Sequence, residues 1–281
     1  MLRLLKDLLP WKVRLWLHLF LVKYPQFYIN GIRQKKNTLQ QTIRILEKHM
    51  HSMGVSDFKG KTVCELGPGD SLYHGVMAYQ LGARQMYMLD IADLAGSEAK
   101  FDILDIQLKR PMPECIKGET WKSYLKKLDV EYLTEGIESY YKVPDGAVDI
   151  LFSNVVLEHV RLDIFEETVK QMNRMCKMGA LCSHIVDYKD HLGGGLNDLR
   201  VPTEKWESSL YKKMPNYVNR ILYYDMIDIF KKNGFALIGE PKFQLREKIP
   251  VARSKLIPEY RNKSGKELRI AMAEFVLEKV R

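Results

Sequence analysis

The sequence lacks the features that mark several protein classes. Its four cysteines, at positions 64, 115, 176 and 182, form no C-x-x-C pair and no zinc-ligand spacing, so we expect neither disulfides nor a structural zinc ion. No stretch approaches the roughly 18–20 uncharged apolar residues of a membrane-spanning helix. No small-residue cleavage site follows the apolar N-terminus, which argues against a secretory signal. We therefore expect a globular protein in the cytoplasm.

The composition is that of an ordinary folded chain. Its 281 residues are 46% hydrophobic and 28% charged, which suits one α/β domain with additions. Positive charge is concentrated at one end: residues 1–60 hold eleven Lys and Arg against three Asp and Glu, and the whole chain has a net charge of +9. A body that bound nucleic acid would carry the basic patch itself. We therefore expect no nucleic-acid partner.

The basic excess belongs to an apolar N-terminal segment. Leucines dominate residues 1–24, and Lys and Arg side chains interrupt them. Trp11 and Trp16 beside Lys12 and Arg14 suit the lipid headgroup boundary, where aromatic rings and basic side chains both prefer to lie. We expect residues 1–24 to contact an anionic membrane surface. The alternatives are a solvated basic face and a helix pair that packs on the body or on the second subunit of a homodimer.

A strand, a glycine turn and a helix follow this segment. Residues 61–66 form a short apolar run, Gly67-Pro68-Gly69 forms the turn, and residues 71–81 have a helical pattern that stops at Gly82. The glycines would let a ligand approach the backbone at the mouth of a parallel sheet. This unit opens a doubly wound fold, although a glycine-rich loop alone is weak evidence for its ligand.

Acidic and polar residues at the strand ends sharpen the interpretation. Glu65 comes two residues before Gly67, where a carboxylate favours a cationic ligand over NAD. A second apolar strand ends at Asp90, roughly 20 residues further on, the spacing at which an acid bonds ribose hydroxyls. A third buried strand ends at Ser153 and Asn154. The pattern indicates a nucleoside ligand that carries a positive charge.

Four segments that carry these features resemble motifs I to IV of class I S-adenosylmethionine (SAM)-dependent methyltransferases. They are Glu65–Ser71, Leu89–Asp93, Thr134–Ser139 and Asp149–Val160, in the family's order and spacing. The resemblance implies a doubly wound, Rossmann-like α/β sheet, mostly parallel with an antiparallel last strand. It also implies a methyltransferase domain at residues 59–281 behind an N-terminal helical segment at residues 1–58. Ser71 departs from the pattern, because the usual loop has a third glycine there.

The resemblance also implies which residues bind the donor SAM and its product S-adenosylhomocysteine (SAH). These residues are Glu65, Gly67, Pro68, Gly69, Ser71, Asp90, Ile91, Gly136, Ile137 and Asn154. The loop from Glu65 to Ser71 would face the methionine part, with Asn154 beneath it. Asp90 would take the ribose hydroxyls. Gly136 and Ile137 would border the adenine.

Candidate catalytic residues lie near the carboxyl ends of predicted strands, where doubly wound folds bind ligands. They are His159, His184, Asp187 and His191. A histidine among them could deprotonate a sugar hydroxyl, with Asp187, Asp190 and His191 as the residues that could orient the base. Alternatively, Asp187, Asp190 and His191 could ligate a divalent metal ion. We expect His191, in a loop, to reach the acceptor rather than His184. We discount the histidines of the N-terminal segment and of the first helix of the body: His18, His49, His51 and His74.

The acceptor is inferred from a narrower resemblance. The Gly-Pro-Gly-Asp-Ser loop, residues 184–191 and residues 217–220 resemble a subgroup associated with surface polysaccharide and glycan biosynthesis. This implies O-methylation of a sugar or glycan precursor at the cytoplasmic membrane face. The alternatives are a soluble small molecule, with the N-terminal helices as a lid or dimer interface, and a phosphate or carboxylate, which needs no base. Residues 153–156 lack the Asn/Asp-Pro-Pro-aromatic motif typical of base-amino methyltransferases, and the intact donor motifs disfavour a non-catalytic binding module.

Overall fold

The computed structural model describes residues 9–24, 39–95, 110–214 and 217–281, and seven strands of these residues form one sheet in the order β3-β2-β1-β4-β5-β7-β6. The strands are β1 (Thr62–Leu66), β2 (Gln85–Leu89), β3 (Val130–Leu133), β4 (Val148–Asn154), β5 (Cys176–Asp187), β6 (Phe235–Leu245) and β7 (Ile270–Lys279). Strands β1 to β5 run parallel, and β7 runs antiparallel to both of its neighbours. The predicted doubly wound sheet with an antiparallel last strand is confirmed.

Helices cover both faces of this sheet. They are α1 (Trp11–Lys23), α2 (Leu39–Met53), α3 (Tyr73–Gln80), α4 (Trp121–Lys126), α5 (Ile137–Tyr141), α6 (Leu162–Met175), α7 (Thr203–Trp206), α8 (Tyr223–Lys232), α9 (Pro258–Arg261) and α10 (Gly265–Arg269). One core unites α2, α3 and α4 with one face of the sheet, and a second core unites α5, α6 and α8 with the other. Because both faces are covered, all five residues of β1 are buried.

Helix α2 is packed into the body, although the sequence assigned it to the N-terminal segment. Leu46 is 1% exposed, and the imidazole Nδ1 of His49 lies 2.8 Å from the hydroxyl of Ser183 on β5. Lys48 forms an ion pair with Glu274 on β7. Helix α2, which lies within residues 1–58, therefore packs on one face of the sheet.

Helix α1 packs with one side and exposes the other. Four of its apolar side chains rest on a cluster that contains Trp206 and Tyr217: Trp11, Leu15, Leu19 and Val22. On the outer side, Trp16 is 60% exposed and stacks on Phe20 at 5.4 Å between ring centroids. None of the helices described is long and apolar enough to cross a membrane. Residues 1–8 of the predicted membrane-contacting segment lie outside the described residues.

Candidate functional site

A pocket opens at the carboxyl end of β1, between the glycine turn and helix α2. Its lining residues are Thr42, Ile45, Glu65, Gly67, Pro68, Ser71, His74 and Asn154. Five of these residues were predicted to bind the donor, so the structure gathers the predicted methionine-side residues around one pocket. Thr42, Ile45 and His74 were not predicted. Two of the three belong to α2, which forms one wall of the pocket.

Glu65 supplies the pocket with a buried carboxylate. Its side chain is 3% exposed, and its Oε1 lies 2.6 Å from Nδ1 of His74. Its Oε2 is buried and has no hydrogen-bond partner among the residues described. A buried acceptor without a partner is costly. A cationic group in the pocket would satisfy this oxygen, so the carboxylate fits the α-amino group of a methionine-like ligand.

The backbone at Gly67 requires glycine for two reasons. Its φ is +64°, in the left-handed region that other residues adopt at a cost. A Cβ at this position would also lie 2.5 Å from Cγ2 of Val156, in the loop after β4. The turn after β1 and the loop after β4 are therefore in contact at Gly67, where the turn has no side chain. Gly69 also has a positive φ, of +68°, but a Cβ there would meet nothing within 4 Å.

Asp90 lies at the end of β2 and holds two loops together. Its Oδ2 accepts the backbone N–H of Gly69 at 2.9 Å, and its Oδ1 accepts that of Ile91 at 2.7 Å. Burial raises the pKa of the Asp90 carboxyl above its usual value. The side chain of Ile91 is 80% exposed, so the structure places its backbone rather than its side chain beside the acid. Each carboxylate oxygen retains a lone pair for a ribose hydroxyl.

The predicted adenine-bordering residues follow β3. The N–H of Gly136 donates to the backbone carbonyl of Asp90 at 3.0 Å, so this turn is fixed to the acid loop. Gly136 has a φ of +62° and precedes Ile137, which begins helix α5. The Asp90 loop and the Gly136 turn therefore lie side by side at the carboxyl edge of the sheet, as a nucleoside-binding arrangement requires.

Two histidines stack beyond the ends of β4 and β5. The rings of His159 and His191 lie 5.2 Å apart with an 11° angle between their planes. Nδ1 of His159 donates to the backbone carbonyl of Tyr217 at 2.7 Å, which leaves Nε2 as the nitrogen that can accept a proton. Burial lowers the pKa of both imidazoles below the usual 6.5, so both are neutral at pH 7.

Two carboxyl groups lie close to the His159 segment. The Oε1 of Glu158 accepts the backbone N–H of Asp187 at 3.2 Å, and burial raises the pKa of Glu158 to about 8. Asp187 forms an ion pair with Lys189, at 3.2 Å between Oδ2 and Nζ. Asp187 thus lies at the end of β5 as predicted, paired with a lysine. Glu158 was not predicted, because a glutamate in an apolar run at a helix entry is usually solvated.

A second cavity lies beside Glu158 and has a mixed lining of apolar and polar side chains. It is lined in part by Asp187, Asp198 and Arg220. Three buried atoms here have no hydrogen-bond partner in the described part of the chain, namely Oε2 of Glu158, Oδ1 of Asp198 and Nε of Arg220. Burial raises the pKa of Asp198 to about 7. The described residues thus leave both donors and acceptors unpaired beside this cavity.

The prediction that His184 lies at the exit of the fifth strand is wrong. The strand continues to Asp187, and His184 is fully buried between the rings of Phe230 and Phe275. Its Nδ1 lies 2.8 Å from the hydroxyl of Ser153, and burial lowers its pKa to about 3. An enclosed imidazole cannot touch an acceptor, so His184 belongs to the core of the sheet.

Two histidines that the sequence argument discounted lie at or near the donor pocket. His74 contacts Glu65 directly and is 5% exposed, and His49 binds Ser183 beneath α2. The contact of His49 left no trace in the sequence, because Ser183 lies far away in the chain. For His74, the available signal was its position nine residues after Glu65. The turn between β1 and α3 brings the start of the helix back over the strand, so a residue at this position can contact Glu65.

No group of three or more His, Cys, Asp or Glu side chains in residues 9–24, 39–95, 110–214 and 217–281 is arranged to hold a metal ion. The aspartates near the end of β5 already have partners. Asp187 pairs with Lys189, and Asp190 accepts backbone N–H groups of Leu192, Gly195 and Asn197. The alternative of a divalent ion at Asp187, Asp190 and His191 thus finds no arranged set of ligands in the part of the chain that is described.

Comparison with known proteins agrees with this arrangement. Residues 64–183 match a family model described as a methyltransferase domain. The match begins in β1 and ends within β5, so it spans the glycine turn, Asp90 and the ends of β4. None of the curated proteins matches the chain.

Solved structures share the fold at low sequence identity. Phosphoethanolamine N-methyltransferase 2 of Haemonchus contortus, solved with SAM, has a TM-score of 0.50 at 13% identity over 88% of this chain and 55% of its own. Geranyl diphosphate C-methyltransferase of Streptomyces coelicolor A3(2) has a TM-score of 0.49 at 12% identity, over 86% of this chain and 80% of its own. A SAM-dependent methyltransferase of Mesorhizobium loti has a TM-score of 0.46 at 11% identity, over 80% of this chain and 93% of its own.

The likeness with a TM-score of 0.50 shows the fold, and the match of residues 64–183 to a methyltransferase domain indicates the activity. The strand order is that of the predicted doubly wound sheet, with the glycine turn after β1 and Asp90 after β2. The chain is a SAM-dependent methyltransferase with the class I fold.

Proposed function

We propose that this enzyme transfers the methyl group of SAM to a hydroxyl of a sugar or glycan precursor. The observation that carries the proposal is the oriented imidazole of His159, whose Nε2 can take a proton and which lies in the segment that follows Asn154 of the donor pocket. Buried polar atoms of Glu158, Asp198 and Arg220 support it, because they lack hydrogen-bond partners among the described residues and hydroxyl groups of an acceptor would supply them. An anionic acceptor would need neither feature.

On the donor side, we assign the methionine end to the pocket around Glu65. The unpaired Oε2 of Glu65 would accept the ammonium group, and Asp90 would accept ribose hydroxyls. The turn at Gly136 and Ile137 would border the adenine. When bound, SAM supplies an electrophilic methyl group on a sulfonium. The protein aligns the two reactants, which is the main demand of an in-line displacement.

On the acceptor side, the hydroxyl proton has to leave as the new bond forms. The acceptor oxygen attacks the methyl carbon, a C–O bond forms, and the C–S bond breaks to leave a neutral thioether. Nε2 of His159 takes the proton, and the Tyr217 carbonyl holds the ring in the required tautomer through Nδ1. His191 stacks on this ring and limits its movement.

The test of this proposal is the identity of the methylated product. The purified protein is incubated with SAM labelled in its methyl group and with pools of sugar nucleotides and lipid-linked glycan precursors, and products are identified by mass spectrometry. We expect label in an O-methyl sugar. Label in an amine, a carboxylate, a phosphate or nucleic acid, with none in sugars, would contradict the proposal and leave the methyltransferase activity intact.

The donor assignment predicts the effect of changing Asp90. Asp90→Ala should weaken SAH binding by about 1–3 kcal/mol, because buried partners lose a charged acceptor. Asp90→Asn keeps one acceptor oxygen for Gly69 or Ile91 and should lose less. Calorimetric titration of both variants measures this. Unchanged affinity in a folded Asp90→Ala protein would remove Asp90 from the donor site.

We also propose that the outer side of α1 contacts an anionic membrane surface on the cytoplasmic side. The support is a row of aromatic rings, in which Trp16 and Tyr24 are exposed and the half-buried Phe20 contacts both, with Lys12 and Lys23 exposed alongside. Aromatic rings and basic side chains together favour the headgroup region.

This contact should be visible in liposome flotation. We expect the protein to float with vesicles that contain phosphatidylserine, and less so at high salt, because screening weakens the attraction. Trp16→Ala should reduce flotation, whereas Met178→Ala, a change at a side chain that is 64% exposed elsewhere, should not. If Trp16→Ala leaves flotation unchanged but alters the oligomeric state in gel filtration, the row of rings is a dimer interface instead.

A further inference from the structure

The contacts of His74 in helix α3 are unusual for a buried histidine. Its Nδ1 lies 2.6 Å from Oε1 of Glu65 on β1, and its Nε2 lies 2.9 Å from the backbone carbonyl of Thr42 on α2. The ring is 5% exposed, and the ring of Phe152 meets it edge-on. His74 therefore joins the carboxylate of the donor pocket to the helix that forms the pocket's wall.

Both partners of this ring are hydrogen-bond acceptors. A backbone carbonyl cannot donate, and an ionised carboxylate cannot donate either. Both ring nitrogens must then carry protons, so His74 is an imidazolium. Burial lowers its pKa, but the Glu65 carboxylate and the Thr42 carbonyl outweigh burial and leave the pKa above the usual 6.5. The other titratable group that faces it is His49 on α2, whose pKa burial lowers to about 3, so that it is neutral.

We propose that His74 is a positioning residue for the donor: its imidazolium bridges Glu65 to α2, so that α2 closes over the methionine end of the pocket. This inference rests on the proposed donor site around Glu65 and is independent of the acceptor. His74 does not contact the reacting atoms. It holds Oε1 of Glu65, and it leaves Oε2 of Glu65 for the ammonium group, with α2 as the opposite wall of the pocket.

A second contact reinforces the same closure. The hydroxyls of Thr42 and Ser71 lie 3.2 Å apart, so α2 also touches the turn after β1. Thr42 and Ile45 line the donor pocket from α2, and Ser71 lines it from the turn. The pocket is therefore closed only while α2 is docked. Donor binding and docking of α2 must then strengthen each other, since both depend on the same contacts.

The pH dependence has a definite sign. A group whose pKa is raised in the folded state contributes fully below its unfolded pKa, and this contribution is lost as pH rises through the folded pKa. The bridge is thus fully present below pH 6.5, the ordinary pKa of histidine. It is lost as the pH rises through the raised pKa of folded His74, where the ring gives up a proton. Neutral His74 can donate to only one of its two partners.

The test compares two ligands and two variants by calorimetry. SAH carries the amino acid end, whereas 5′-methylthioadenosine lacks its ammonium and carboxylate groups. His74→Gln should weaken SAH binding about tenfold or more, the usual effect of losing a hydrogen bond between charged groups. Its binding of 5′-methylthioadenosine should change less than about twofold. His51→Gln, on the exposed side of α2, is the matched control and should change neither.

Two measurements on the unaltered protein keep the inference testable if His74→Gln does not fold. Nitrogen-15 NMR of the histidine rings at pH 6 should show both His74 nitrogens protonated, and SAH should slow hydrogen exchange across residues 39–53. A neutral His74 at pH 6, or unchanged exchange in α2 with SAH bound, would overturn the bridge. If Glu65→Ala weakens SAH binding and His74→Gln does not, the donor site stands and this inference fails. If neither variant weakens it, the donor site itself is misplaced.

Discussion

His159→Ala should lower the turnover number by about 10²–10⁴-fold, the usual contribution of a general base. The physical reason is that its Nε2 is the one ring nitrogen left to accept a proton once Nδ1 donates to Tyr217. SAH affinity should hardly change, because His159 does not line the donor pocket. His159→Gln can keep the hydrogen bond to Tyr217 without supplying a base, so it should lose as much activity as His159→Ala. The measurement is the steady-state rate with a sugar acceptor.

The pH profile of the same reaction separates His159 from Glu158. A base must be unprotonated, so activity falls as pH drops through its pKa. Burial lowers the pKa of His159 below 6.5, whereas it raises that of Glu158 to about 8. We therefore expect the acid limb of kcat below pH 6.5. An acid limb near pH 8 that disappears in Glu158→Gln would transfer the role to Glu158, and near-normal turnover in both His159→Ala and His191→Ala would exclude an imidazole base.

Gly67→Ala should destabilise the ligand-free protein by about 2–5 kcal/mol. The left-handed backbone contributes about 1–2 kcal/mol of this cost, and the added methyl group, at 2.5 Å from Val156, contributes about 1–3 kcal/mol as overpacking. Denaturant unfolding without a ligand measures the change. The donor loop cannot avoid the clash without moving, so SAH affinity should fall as well.

Two variants test this explanation. Gly69 also has a positive φ, but a Cβ there meets no neighbour within 4 Å. Gly69→Ala should therefore lower the free energy of unfolding only by the cost of the left-handed backbone, about 1–2 kcal/mol. Val156→Ala combined with Gly67→Ala removes the atoms that clash and should restore about 1–3 kcal/mol relative to Gly67→Ala alone. If Gly67→Ala and Gly69→Ala are equally destabilising, the contact between the two loops is not what makes glycine necessary.

The sheet and the donor loop were predictable because their signals are local. The strand before Gly67, the acid after β2 and the polar end of β4 are each short patterns whose geometry follows from a parallel sheet. The last strand was harder, because residues 269–279 have helical propensity and only the family's order favoured a strand. The structure has a strand there, in which β7 pairs with both β5 and β6.

The histidines were the least predictable part of the site. His184 lies three residues before the end of β5. In a buried strand, this short distance decides whether the side chain lies in the core or at the exposed edge of the sheet. His74 was discounted because its helix follows the loop, yet the loop turns that helix back over Glu65. Its second partner, Thr42, belongs to a helix that composition assigned to a separate segment. Contacts between elements that are distant in the chain produce no periodic pattern in a single sequence, so they could not be predicted from it.

The central claim is that the pocket between the β1 turn and α2 binds the donor of a methyltransferase. Calorimetric titration of the purified chain with SAH, with NAD as the comparison ligand, tests it most directly. We predict saturable binding of one SAH per chain and no measurable heat with NAD, because Glu65 favours a cationic amino acid end. Binding of NAD, or no binding of SAH by a folded protein, would contradict it.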